Sequence, residues 1–428
     1  MSIGQYPKYK KIQFSWLDKA PVHWECKKIA WDLPYVVGWT PPSGKDEYYG
    51  GDHPWVTIAD MTKGTINDTQ SKITDLAIAV KKAEIVPAGS MLFSFKLSVG
   101  KVAFLAIDSY TNEAIAAFHP TKDISLAFWK YAAPEIIPNY GRENIYGAKL
   151  LNQELIGSAR FYCPPRAEQT QIARFLDHET AKIDALIREQ ERLIELLQEK
   201  RNSLTLSAPD SEIWPEERLG NIVQVINRPV SLKLECEYVS IGLYNRGRGL
   251  FHKEPKEKKD MGDSTFFWVK PGDLIISGQF AWEGAVALAG NDEAKTVVSH
   301  RYPIIRGKTG TVLTEYLFAL LTTSHGYYLL KENSRGAAGR NRPLNLNSLL
   351  KEKIRIPPIN LQKRVANIVN ESIAIKQEAE NQKQLLLERR SALISAAVTG
   401  KIDVRGWKPP ADESAFAESG TEDIEATV

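Results

Sequence analysis

Cysteine is scarce in this sequence: Cys26, Cys163 and Cys236 are the only three in 428 residues, and none belongs to a Cys-X-X-Cys pair. That spacing supports neither a disulfide framework nor a zinc ribbon, so the three are expected to be buried thiols. The seven histidines are dispersed, with no His-Glu-X-X-His, and no metal site is expected. No run of 18 apolar residues occurs, and the opening MSIGQYPKYKKIQF lacks the apolar core of a signal peptide. The expectation is a cytoplasmic protein with no membrane segment. An excess of one charge is missing too. Lys and Arg number 55 against 52 Asp and Glu, a net +3 that does not announce a nucleic-acid binder by itself. The stretch after Lys408 is acidic, hides some basicity elsewhere, and is expected to be mobile.

Catalytic signatures occur only as fragments. Asp32-Leu-Pro-Tyr35 approaches the Asp/Asn-Pro-Pro-Tyr motif with which amino methyltransferases grip a flipped adenine, but one proline is missing and no Gly-rich cofactor loop follows a strand nearby. Asp273 with Glu293-Ala-Lys295 imitates the carboxylates and lysine of a metal-dependent nuclease. Asp273 sits, however, in a Pro-Gly-Asp turn, where aspartate has a plain structural use. Gly307-Lys308-Thr309 ends like a phosphate loop, yet Tyr302 stands where the first glycine must bend the chain. The chain is read as non-catalytic.

What the chain does have is a long charged segment written twice. Pro164 to Ala208 opens on a Pro-Pro pair and continues in Ala, Leu, Glu, Gln, Lys and Arg, the composition of a stable helix. Pro357 to Lys401 repeats it, with Pro164, Gln169 and Ala173 falling on Pro357, Gln362 and Ala366, each 193 positions on. Towards the ends, Leu-Leu-Gln-Glu-Lys-Arg at 196–201 matches Leu-Leu-Leu-Glu-Arg-Arg at 385–390, now 189 apart. The second helix is therefore shorter by about one turn, which leaves the phase of a stripe nearly unchanged. In the first copy Ile172, Leu176, Ile183, Leu186, Leu193 and Leu197 form the expected coiled-coil seam. In the second the stripe is Ile368, Ile375, Ala379, Leu386 and Leu393.

The globular segments ahead of the helices repeat as well. Trp24-Glu-Cys-Lys-Lys28-Ile29 parallels Trp214-Pro-Glu-Glu-Arg218-Leu219, and Pro54 to Gly64 resembles Glu237 to Gly247, each a strand followed by a polar turn. Val86 to Ser94 parallels Val269 to Ser277, a glycine turn feeding a buried strand, and Leu151-Asn152 returns as Leu344-Asn345. A period near 190 residues is too long for a solenoid and marks a duplicated domain. The expected class is α+β: one α/β domain at 1–160, a long helix at 161–208, a similar domain at 209–352, a second long helix at 353–400 and a C-terminal segment at 401–428.

With catalysis unsupported, the informative residues are polar and basic ones in loops at matching places. Asn245-Arg-Gly-Arg-Gly-Leu-Phe-His-Lys253 offers Asn245, Arg246, Arg248 and Lys253 beside glycines that let backbone approach phosphate; a solvated turn is the plain alternative. Ser334 to Arg342 offers Arg335, Arg340, Asn341 and Arg342, the side chains best suited to guanine and adenine edges in the major groove. Its counterpart, Tyr140 to Asn144, has Arg142 and Asn144, so the halves should read different bases. Lys96 to Lys101, with Lys96, Ser98 and Lys101, and Ser277 to Trp282, with Gln279, occupy the same strand-loop position in the two halves, and Lys63 lies in the turn after Pro54.

Taken together, these motifs resemble the specificity subunit of a type I restriction-modification system over almost the whole length. The carrying residues are the two Pro-Pro…Gln-X-X-Ile/Val-Ala starts, the Leu-Leu-X-Glu-Lys/Arg-Arg exits, the opening Lys-Tyr-Lys…Trp24-Glu, and Ala396-Ala-Val-Thr-Gly400. One departure is Leu361-Gln362, where the family usually has Glu-Gln, as at Glu168-Gln169. The resemblance implies two target-recognition domains, each reading one half of a split, asymmetric sequence in double-stranded DNA, with the long helices paired as an antiparallel coiled coil. It implies no cofactor in this chain. Partners would be modification subunits, two of them by expectation, bringing S-adenosylmethionine and adenine methylation, and restriction subunits bringing ATP, magnesium and cleavage. Helices of about 40 residues at 1.5 Å each would make a spacer of about 60 Å. The competing reading is a structural or scaffolding coiled-coil protein without DNA binding.

Overall fold

The computed structural model describes residues 4–62, 64–143, 149–206, 214–336 and 342–409. They form two compact units, 1–187 with 384–428, and 188–383. Each unit holds one α/β domain and a stretch of both long helices.

In the first unit a five-stranded sheet runs in the order Tyr35–Val37, Ile115–Phe118, Met91–Ser94, Val102–Leu105, Thr65–Ile66. Its central strands, Ile-Ala-Ala-Phe and Met-Leu-Phe-Ser, are buried along their whole length, as expected of strands covered on both faces. The period-2 alternation divides them. Met91, Phe93, Ala116 and Phe118 join Phe128 and Trp129 of the helix Leu126–Ile136 and Phe175 and Leu176 of the first long helix. Leu92, Ile115 and Ala117 face Val56, Met61 and Val86 instead. The domain is thus packed onto the helix that follows it.

The second unit repeats this with a four-stranded antiparallel sheet: Val223–Ile226, Ile304–Gly307, Leu274–Ile276, Val286–Leu288. Leu274 and Ile276 pack with Tyr316 and Leu317 and with Val365 and Val369 of the second long helix; Ile275 and Ile304 form the opposite face. The two turns that feed the central strands bend at Gly89 and Gly272, both at φ +81, where a side chain would be strained.

The tryptophan motifs acquire a structural meaning. Glu25–Lys28, directly after Trp24, pairs antiparallel with Arg160–Cys163. Glu216–Arg218, separated from Trp214 by one residue, pairs in the same way with Lys353–Arg355. In each half the start of the domain is zipped to the strand that precedes the Pro-Pro pair. The helices then run Arg166–Leu206 and Ile359–Val398. Glu168, buried in the first turn of its helix, accepts from the Tyr6 hydroxyl at 2.6 Å and from Trp24 Nε1 at 2.8 Å, and contacts His23 Nε2 at 2.8 Å. This fastens the N-terminal segment to the helix.

The seam differs in detail from the apolar pattern. Ile172, Leu176 and Ile183 are buried, but Leu186 and Leu193 are exposed, and Ile187, Gln190, Ile194 and Leu197 are the half-buried positions that continue the 3-4 spacing. In the second helix Val369, Ser372, Lys376, Ala379, Lys383, Leu386, Arg390 and Leu393 keep that spacing; Ile375 is exposed and Ile368 lies beside the stripe, half-buried. The shift has a physical cause. Gln190 on one helix, and Lys376, Lys383 and Arg390 on the other, occupy seam positions that a count of apolar residues passes over, because long polar side chains bury their stems and keep their heads in water; Thr180 fits the seam by donating its hydroxyl to Leu176 O at 2.6 Å. In the first unit Arg390 pairs with Asp184 at 3.0 Å, and in the second Lys383 pairs with Glu191 at 2.6 Å. The residue numbers sum to 574 in both pairs. A constant sum is the mark of antiparallel helices, so one antiparallel register serves both.

Of the cysteines only Cys163 is buried, and burial pushes its thiol up to about 12; Cys26 and Cys236 are exposed, contrary to the expectation for all three. Cys26 lies on the strand Glu25–Lys28, none of whose residues is buried. The acidic stretch expected to be mobile lies, from residue 410 on, outside the described residues.

Candidate nucleic-acid interface

The second domain gathers three of the sequence-derived loops. The hairpin of Ile241–Leu243 and Leu250–His252 turns through Arg246 and Gly247 at φ +58 and +61. Its tip is tied to the segment after the Leu274–Ile276 strand: Arg246 N donates to Glu283 O at 3.0 Å, Gly247 N to Gly284 O at 2.8 Å, and the Asn245 amide to the Glu283 carboxylate. From the other side, Leu344 N donates to Gly278 O at 2.8 Å, and the Arg342 guanidinium lies 5.2 Å from the centre of the Trp282 ring. Asn245, Gln279, Trp282 and Arg342, up to 97 positions apart in sequence, therefore belong to one cluster.

Placement separates the candidates. Arg246, Arg248, Lys253, Gln279 and Arg335 are exposed, and Arg342 is half-buried on Trp282. Arg248 Nε donates to Asn245 O at 3.1 Å and its guanidinium sits 5.4 Å from the Tyr244 ring, so it is held rather than swinging free. Arg335 reaches Glu332 at 3.5 Å. The Asn245 amide is turned inward on Glu283. A polar cleft of about 490 Å³ next to Arg335 is lined by Tyr328, Glu332, Asn333 and Ser348. Arg340 and Asn341 lie outside the described residues, as do Lys63 and Asn144 of the first domain.

In the first domain Lys96, Ser98 and Lys101 are exposed on one loop, between the antiparallel strands Met91–Ser94 and Val102–Leu105. Ser98 N donates to Lys96 O at 2.7 Å, closing a three-residue turn around Leu97 at φ +62. A γ-turn of positive φ is rare and strained, and left-handed backbone costs a side chain about 1–2 kcal/mol. Ser94, fully buried, holds the loop: its hydroxyl donates to Ser98 O and accepts from Lys101 N at 3.0 Å, while Gly100 N donates to Ser94 O at 2.9 Å. Arg142 is exposed on the short strand Arg142–Glu143, which pairs with Lys149–Leu150. Leu97 and Trp282 fall inside the two loop stretches that the sequence marks without being singled out there, and Glu283 lies one residue beyond the second. Trp282 closes the Ser277–Trp282 stretch whose position the repeat marked, whereas nothing in the sequence pattern distinguishes Leu97.

The catalytic fragments are used for folding. Asp32 accepts from Lys28 N at 2.7 Å and pairs with Lys27 at 3.4 Å, and the Tyr35 hydroxyl donates to Gln153 O at 2.7 Å. Asp273 is fully buried and closes its turn by accepting from Lys270 N at 2.8 Å. It also takes two bonds from Arg228, at 2.6 and 2.9 Å, and one from Arg306 Nε at 2.6 Å. Burial pushes this carboxyl up, but the bonds from Arg228, Lys270 N and Arg306 outweigh it and hold it below the usual carboxylate range. Glu293 caps a separate turn through Gly290 N at 2.8 Å. Among the described residues no group of three His, Cys, Asp or Glu gathers as a metal ion would require.

Known proteins match this arrangement. A family model described as type I restriction modification DNA specificity domain matches residues 21–196, the first domain and most of the first long helix. The specificity subunit of the type I restriction enzyme MjaIX of Methanocaldococcus jannaschii is 27% identical across 92% of this chain and 98% of its own length. The HindI specificity subunit of Haemophilus influenzae is 30% identical over 110 residues, 25% of this chain and 24% of that one. A solved structure from work on complex assembly and conformational transition of the type I R-M system covers 89% of this chain and 99% of its own, with a TM-score of 0.55 at 15% identity, which is a likeness of fold.

Proposed function

We infer that this chain, which belongs to the specificity subunits of type I restriction-modification systems, is the non-catalytic member that recognises DNA sequence and directs methylation and restriction to it. The observation that carries the reading beyond family membership is the cluster around Trp282 and Glu283, where three loops rich in Arg, Asn and Gln are fastened together by backbone bonds. A base reader needs guanidinium groups held on fixed loops, since bidentate contacts with guanine tolerate little misplacement.

In this reading residues 1–160 and 209–352 each take one half of a split, asymmetric target. Arg142 and the Lys96–Lys101 loop serve the first half; Arg246, Arg248, Gln279, Arg335 and Arg342 serve the second. The antiparallel helices set the gap between the half-sites. Modification subunits carrying S-adenosylmethionine bind along the helices, where Leu186 and Leu193 remain exposed. Restriction subunits carrying ATP and magnesium join that core. The complex works in the cytoplasm; no helix among the described residues is long and apolar enough to cross a membrane.

Gel-shift titrations with modification subunits present, at several salt concentrations, test the recognition. Sequence-selective binding that falls with the logarithm of salt is expected. Its absence would return the chain to the scaffolding class. The spacer is tested by inserting one heptad in each helix, after Gln190 and after Lys383, junctions that face one another in the observed register. Seven residues add about 10 Å, so selection from a library of randomised gaps should return half-sites about three base pairs further apart. An unchanged gap in a folded, partner-bound variant would show that the helices do not set it.

A further inference from the structure

Leu97 is 98% exposed, the highest value for any large apolar side chain among the described residues. It is also one of four described non-glycine residues with positive φ. Either property alone is unremarkable; their coincidence needs a reason. Folding gains nothing from this leucine. At φ +62 glycine would relieve the backbone, and in open water a polar residue would be better solvated. Strain of this kind persists only where the surroundings enforce it, and here the buried Ser94 hydroxyl, bonded to Ser98 O and Lys101 N, does so. The loop is built to keep an isobutyl group standing in solvent.

The setting says what for. The loop joins two adjacent antiparallel strands of the five-stranded sheet and is exposed from Lys96 to Val99. Exposed Lys96 and Lys101 flank the tip and can take a phosphate on either side. The second domain also presents an exposed residue from left-handed backbone at a hairpin tip, Arg246 at φ +58. There the side chain has guanine-reading chemistry. Leucine cannot hydrogen-bond, and the one apolar feature on a major-groove edge is the thymine 5-methyl group. The minor groove offers no such group, and entering it with a wedge requires unstacking the bases. We propose that Leu97 is a specificity-determining contact of the first domain, packed on a thymine methyl in the major groove. The proposal rests on the DNA-recognition reading and adds to it a residue and a chemical feature.

The test uses the full chain assembled with its modification subunits and its target, located by methylation sequencing. Each thymine of the half-site read by the first domain is replaced in turn by deoxyuridine, which removes only the methyl. Wild-type complex should lose about fourfold in affinity at one thymine, the worth of one buried methyl group. Leu97→Gly, which suits the left-handed backbone and should melt no lower than wild type, and Leu97→Ala should both bind the natural target more weakly by a similar factor. Neither should respond to deoxyuridine at that position, while keeping wild-type responses elsewhere. Three results would overturn the proposal: no thymine responds in the wild type, the variants retain the response, or the variants weaken binding equally on unrelated DNA. Failure of the wild-type complex to select any sequence would instead remove the recognition reading, and this proposal with it.

Discussion

Gln169 and Gln362 make the same clamp in the two halves of the chain. Gln169 Oε1 accepts from Ser125 N at 2.7 Å, and Gln362 Oε1 accepts from Leu313 N at 2.9 Å; Ser125 and Leu313 each stand just before a domain helix. Each amide nitrogen then donates back to a proline carbonyl of its own Pro-Pro pair, at 2.9 Å in both, and to one further loop carbonyl. Both side chains are about 1% exposed. Replacing either with Leu strands a buried amide and two carbonyls, and should cost about 1–3 kcal/mol per clamp. Denaturant unfolding of Gln169→Leu, Gln362→Leu and the double variant checks this; with no shared partners the two losses should add.

Asp273 predicts a pH dependence. Its folded-state pKa lies below the unfolded value, so its contribution is present above about pH 4 and is lost as pH falls through the folded pKa. Asp273→Asn leaves Arg228 and Arg306 without their carboxylate and should lower stability by about 3 kcal/mol at pH 7. The gap between the two proteins should narrow as both are acidified below pH 4. A difference that stayed constant through that range would mean the carboxylate is not held by its charge.

The register of the helices should respond to charge reversal. Lys383→Glu and Glu191→Lys each place like charges together, at side chains 30% and 49% exposed. Each should cost about 0.5–1 kcal/mol, the range for solvated pairs. The double reversal should recover most of it. A double-mutant cycle with no coupling would show the pair is incidental.

Phosphate and base contacts should separate by their salt and sequence dependence. Lys96→Ala and Lys101→Ala are expected to weaken binding uniformly across sequences and to lower the salt slope by about one unit each. Arg342→Ala should instead relax selectivity at one position of the second half-site, by about 1–3 kcal/mol of lost discrimination. Uniform loss with Arg342→Ala would make it a phosphate contact.

The parts of the fold that were legible in the sequence are those set by local rules. The Pro-Pro starts, the helical composition and the glycine turns at Gly89 and Gly272 each mark a place where the backbone has few choices. The repeat doubles every such signal, which is why Trp24 and Trp214 match from sequence alone although the strands that close on them lie more than 130 positions on. The seam was displaced because burial follows geometry: Lys383 and Arg390 occupy it, while Leu186 and Leu193, more apolar, face outward. The cluster of Asn245, Trp282 and Arg342 was legible only as three separate loops. Its assembly depends on backbone bonds such as Leu344 N to Gly278 O, across 66 positions, that no local pattern encodes.

Lys376, Lys383 and Arg390 recur every seven residues on one face of the second helix, and Asp184 and Glu191 recur every seven on the first. Two second helices brought together from different copies would set cation against cation along that whole face, and two first helices would set acid against acid. By charge, each helix is thereby a better partner for the other kind than for its own. The matching face is carried by the same chain, so the complementary helix is always at hand by tether.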